Sequence, residues 1–102
     1  MSYGEFFYST RRLSGWLAAR GIGAGDVVAY SGGNGIEALQ YFVAAGLRGA
    51  AVFPVNPAFL PAEAAALLRG SRARLLLLTA SQRARLAGET LPDDTEMYCF
   101  HP

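Results

Sequence analysis

The sequence predicts an α/β fold: a parallel or mixed sheet of alternating βα units with helices on both faces. Three β-rich apolar runs begin near Val27, Ala51 and Leu75, at equal intervals of 24 residues. Helix start and stop signals fall between them. Apolar strands joined by helices argue for a sheet covered on both sides, with right-handed crossovers. The segments do not match one another residue by residue, so these are βα units rather than a sequence repeat. Residues 1–102 make one domain.

Ser2 with Glu5 three positions later forms a capping box, which starts a helix near Tyr3. Phe6, Leu13 and Leu17 fall on one helical stripe with Trp16 beside it, and Gly21 supplies a left-handed stop. Gly23-Ala24-Gly25-Asp26 turns the chain into a strand at Val27–Ser31. Asn34 with Glu37 caps a second helix from Gly35 to about Arg48, stopped by Gly49. Ile36, Leu39, Tyr41, Phe42, Val43 and Leu47 leave that helix without a polar face, which predicts burial on more than one side. Ala50 to Val55 reads as a strand and Asn56-Pro57 as a turn. Pro61 opens a third helix to about Arg69. Leu75 to Thr79 is the third strand, Ser81 caps a short helix ending near Gly88, Leu91 to Thr95 is loop, and Met97 to Phe100 starts a fourth strand.

Hydrophobic residues make up 52% of the chain and charged ones 17%, short of the roughly 25% charge of soluble domains. The chain therefore buries surface against partners or is a piece of something larger. Nine arginines against eight acidic residues give a net charge of +1, without the footprint of a nucleic-acid binder. No lysine is present, which removes Schiff-base, Walker-type and adenylation lysines. The lone Cys99 excludes an internal disulfide framework and, with no basic leader at Met1-Ser2-Tyr3, points to the cytoplasm. Ile36 to Leu60 is the most apolar region, but polar residues and prolines interrupt it, so no membrane span is expected.

Gly33-Asn34-Gly35-Ile36-Glu37-Ala38 matches a G-x-G-x-x-G/A dinucleotide pattern between a strand and a helix. The acidic residue due about 20 positions on is missing, since that region reads Phe53-Pro54-Val55-Asn56. A glycine-rich turn with an Asn cap is the plainer reading; a small nucleotide-binding module using Gly33 and Gly35 is the alternative. Gly21 to Gly25 follows a helix C-terminus, the wrong dipole end for phosphate. Cys99 and His101, at the chain end, lack an orienting third group and further metal ligands. Arg69, Arg72, Arg74, Arg83 and Arg85 lie without stacking aromatics between Leu60 and Pro92, which suits solvated faces better than nucleic acid. No catalytic, cofactor-binding or metal residue is assigned.

Gly25-Asp26-Val27-Val28-Ala29 followed by Asn34-Gly35-Ile36-Glu37 resembles the N-terminal portion of the adenylate-forming (AMP-binding) synthetases, which include acyl-CoA and aryl-CoA ligases. Tyr3-Gly4-Glu5 stands where that family opens a helix with Tyr-x-Glu. Phe42, Ala44, Gly49, Ala50, Pro54, Asn56 and Pro57 follow its next helix and strand, and Pro61-Ala62-Glu63 through Arg74-Leu75 its third unit. The resemblance runs from Tyr3 to about Thr79. Ser31-Gly32-Gly33 and Gly46 depart from it, each replacing larger apolar residues.

The resemblance implies an ATP-dependent ligase that adenylates a carboxylic acid and passes the acyl group to a thiol such as coenzyme A, with ATP, Mg and coenzyme A as cofactors of the whole enzyme. The family's phosphate loop ending Pro-Lys-Gly, its Tyr-Gly-x-Thr-Glu motif, its ribose-binding Asp and its catalytic Lys are absent here; Asp93-Asp94-Thr95-Glu96 echoes one motif in two letters only. The expectation is an incomplete domain, truncated at both ends and inactive alone. Its apolar surface is expected to be covered by the rest of the ligase or by a partner subunit. A non-catalytic interaction subunit is the remaining alternative.

Overall fold

A computed structural model describes residues 2–33, 35–92 and 95–100. The chain alternates helix and strand as α1 (Tyr3–Ala19), β1 (Val27–Ser31), α2 (Ile36–Leu47), β2 (Ala51–Val55), α3 (Pro61–Gly70), β3 (Leu75–Thr79), α4 (Ala80–Arg85) and β4 (Glu96–Phe100). The four strands lie in the order β2-β1-β3-β4, and every pairing is parallel. The β2 edge carries Pro54, which lacks the N–H that a central strand would need.

Local chemistry sets the ends of the elements. The Glu5 N–H donates to the Ser2 hydroxyl at 3.1 Å while the Ser2 N–H donates to Glu5 Oε1 at 3.3 Å, closing the expected box on α1. Gly21 and Gly49 end α1 and α2 with φ of 79° and 77°, conformations that favour glycine. In α3 Pro61 occupies the first turn and Glu63 Oε1 accepts the Leu60 N–H.

The period-2 alternation of the strands divides the core in two. Val28, Tyr30, Leu75 and Leu77 face Leu17 of α1 and Tyr41, Ala44 and Ala45 of α2. Ala29, Leu76 and Leu78 face Ala64 and Leu68 of α3 and Leu86, the C-cap of α4. Leu75 to Leu78 are wholly buried, as a central strand covered on both faces requires.

Three expectations change. The cap position of α2 falls at Gly35, which has no side chain to offer, and Asn34 lies outside the described residues. Thr79, not Ser81, caps α4, because its hydroxyl accepts the Gln82 N–H at 3.2 Å; the helix then ends at Arg85, short of Gly88. The second helix is covered on one side only. Ala38, Tyr41, Ala44 and Ala45 are buried, whereas Leu39 is 53% and Leu47 59% exposed, with Ile36, Phe42 and Val43 also open.

Candidate functional site

β1 and β3 are neighbours, yet the helices that follow them lie on opposite faces of the sheet, α2 on one and α4 on the other. Such a switch point opens a crevice at the carboxyl ends of the strands, where open α/β sheets bind ligands. Ser31 and Thr79 end these strands, and both are buried. The Gln82 side-chain amide, 2% exposed, donates to the Ser31 hydroxyl at 2.9 Å. Behind it the Arg85 guanidinium donates to the Pro57 carbonyl and, at 3.1 Å, to the Phe59 carbonyl. Arg85 thereby ties the β2–α3 loop to α4.

Gly32 closes the crevice floor. A Cβ there would stand 2.7 Å from Thr79 Cγ2, so only glycine lets the two strand ends approach so nearly. The Tyr30 hydroxyl donates to the Gly33 carbonyl at 3.0 Å. Burial raises the Tyr30 pKa, and the Glu37 carboxylate adds to the effect. Tyr30, Ala38, Phe42, Val55 and Phe59 then wall a largely apolar groove of about 380 Å³.

The glycine pattern of the β1–α2 turn sits at this crevice without the geometry of a phosphate cradle. A Cβ on Gly33 would meet nothing within 4 Å. Gly35 has an extended backbone with φ of −153°, and its Cβ direction points 3.3 Å from Glu37 Oε2. A carboxylate thus stands at the amino end of α2, where an anion would bind. At the end of β2 the Asn56 side chain accepts the Ala58 N–H at 2.8 Å, closing an Asx turn. Cys99 is exposed on β4, while His101, Asp93 and Asp94 lie outside the described residues.

Sequence reasoning missed Ser31 and Gln82, and it read Arg85 as part of a solvated face rather than as a tie to the β2–α3 loop. One signal was present: Thr79-Ala80-Ser81-Gln82 has the S/T-x-x-E/Q spacing of a capping box. The Ser31 contact, by contrast, spans 51 residues and leaves no local trace.

The sequence model of the AMP-binding enzymes matches residues 1–99. The chain belongs to that family. It is 40% identical over 89 residues to an isonitrile lipopeptide synthase of Streptomyces coeruleorubidus, matching 87% of this chain and 6% of that protein. To a long-chain-fatty-acid–CoA ligase of Thermus thermophilus it is 37% identical over 76 residues, 74% of this chain and 14% of the ligase. Its fold matches a Mycobacterium tuberculosis fatty acyl CoA synthetase with a TM-score of 0.86 at 23% identity, covering all of this chain and 21% of that one. The chain thus spans a small part of the AMP-binding proteins it matches.

The switch-point crevice does not fit the magnesium nucleotide that the AMP-binding family implies. Among the described residues its polar groups include the Ser31, Thr79 and Ser81 hydroxyls, the Gln82 and Asn56 amides and the Glu37 carboxylate, and Arg85 beside it is engaged with backbone carbonyls. Phosphate charge needs cations or metal to balance it. Among the described residues no three His, Cys, Asp or Glu side chains gather to hold a metal ion. Among the described residues, too, no helix is long and apolar enough to cross a membrane.

Proposed function

We propose that this chain is the N-terminal structural portion of an ATP-dependent ligase that adenylates a carboxylic acid and transfers the acyl group to a thiol, and that it is inactive alone. It acts as a scaffold: β1, β3 and their following loops form one wall of the enzyme, while ATP, magnesium and coenzyme A are held by polypeptide beyond these residues. The cytoplasm is the compartment that suits such an enzyme and the lone Cys99.

The observation that carries this reading is the outer face of α2. Ile36, Leu39, Phe42, Val43 and Leu47 form a contiguous exposed apolar stripe on a chain that matches only a small part of its relatives. Stripes of this kind mark surfaces meant to be covered. Family membership and the absence of any lysine support the division of labour. If a separate subunit supplies the cover, the same stripe serves as its interface.

The test is pyrophosphate release from ATP with long-chain fatty acids and aryl acids. The isolated chain is expected to give no release above the blank, and robust turnover would overturn the reading.

A further inference from the structure

At the other end of the sheet, the amino ends of β3 and β4 open onto a cleft of about 620 Å³. That lies within the roughly 300–1,000 Å³ of small-molecule sites. Arg20, Arg69, Arg72 and Arg74 line it. Two of them are fixed by partners. Arg74 pairs with Asp26 at 3.3 Å and donates to the Gly21 carbonyl at 3.0 Å. Arg20 pairs with Glu96 at 3.7 Å, and its guanidinium stacks 4.1 Å over the Trp16 ring.

Arg69 and Arg72 form no ion pair among the described residues, although Arg69 donates to the Thr90 carbonyl. Arg69 also lies in the last turn of α3, where a cation offsets the helix dipole. That explanation does not reach Arg72, which follows the helix. Arg72 is the one non-glycine residue among those described with a positive φ, 54°, in the left-handed region that bulky side chains rarely adopt. Arg72 stands one position past Ser71, the C-cap of α3, so this conformation closes the helix as Gly21 and Gly49 close α1 and α2.

We propose that this cleft binds a phosphate-bearing anion between Arg69 and Arg72, with Arg74 and Arg20 as its fixed wall. A single carboxylate is satisfied by one guanidinium fork. A pyrophosphate group carries the charge and the oxygens to bridge two. This site is separate from the switch-point crevice and independent of the scaffold role.

Calorimetric titration of the full chain with inorganic pyrophosphate, and separately with ADP, tests it. Saturable 1:1 binding that weakens as salt rises is expected. Arg69→Gln and Arg72→Gln should each weaken it about tenfold, with Arg72→Lys, which keeps the charge and loses the fork, falling in between. Arg83→Gln, on the exposed side of α4, should change nothing. Equal affinity for the two probes assigns recognition to phosphate alone, and tighter ADP binding assigns it to a nucleotide. The wild-type chain must bind with Asp93 and Asp94 in place, which connect Pro92 to Thr95 in sequence. No saturable heat with either probe overturns the proposal, as does an equal loss in Arg83→Gln or full affinity in folded Arg69→Gln and Arg72→Gln variants.

Discussion

A side-chain carbon on Gly32 would stand 2.7 Å from Cγ2 of Thr79 and 3.1 Å from the Tyr30 hydroxyl. The carboxyl ends of β1 and β3 therefore meet at a distance that only glycine permits. Gly32→Ala is expected to destabilise the chain by about 1–3 kcal/mol, the usual cost of overpacking. Thr79→Ser removes the obstructing methyl and keeps the hydroxyl that caps α4, so the double variant should recover most of that loss. Urea denaturation of the four members of the cycle measures this; strictly additive effects would show that Thr79 is not the obstacle.

The Gln82 amide and the Ser31 hydroxyl form a second coupled pair, both buried. Gln82→Leu leaves the hydroxyl unpaired, at an expected cost of about 1–3 kcal/mol. Ser31→Ala combined with Gln82→Leu should cost less than Gln82→Leu alone, because no orphaned polar group remains. Chemical denaturation distinguishes the two cases.

How much of this was legible in the sequence depends on the reach of each interaction. The Ser2–Glu5 box, the left-handed stops at Gly21 and Gly49 and Pro61 rest on contacts within a few residues, and each was readable; the four strands were readable from their local apolar runs, although their ladders join distant residues. The cap of α4 is local too, yet the sequence reads it at Ser81, because Thr79 also ends the strand signal. What stayed invisible joins distant parts of the chain: Gln82 to Ser31, Arg85 to the Pro57–Phe59 carbonyls, and Arg74 to Asp26. Hydropathy marked α2 as apolar all round. It could not say that one of its faces stays largely open among the described residues.

Burial pushes the Tyr41 pKa up to about 12, with Tyr98, Tyr30 and Glu37 adding negative potential, and Tyr30 shifts in the same direction. An unfolded tyrosine ionises near pH 10 (about 10 for the free side chain), so between these values the folded chain holds more protons than the unfolded one. The stabilisation is present in full below pH 10 and is lost as pH rises through the folded value. The loss should not exceed about 1.4 kcal/mol per pH unit for one group. Thermal melts in alkaline buffers should show this slope, and Tyr41→Phe should reduce it. An unchanged slope would assign the effect to other groups.

Gly15 and Gly46 lie inside α1 and α2, with nothing within 4 Å of where a Cβ would project. Gly15→Ala and Gly46→Ala are each expected to stabilise the chain by about 0.5–1 kcal/mol. The gain at Gly46 should be the smaller, since it sits next to the last helical residue. A lower melting temperature in either variant would show that the helix meets a neighbour there.

The scaffold proposal rests on the outer face of α2 being a surface that other polypeptide covers. Fluorescence of a hydrophobic dye such as ANS, read beside sedimentation of the purified chain, measures it most directly. Strong dye binding or self-association is expected, falling sharply in Leu39→Gln and Leu47→Gln with the melting temperature unchanged. A monomeric, cooperatively melting wild-type chain that leaves the dye dark would contradict it.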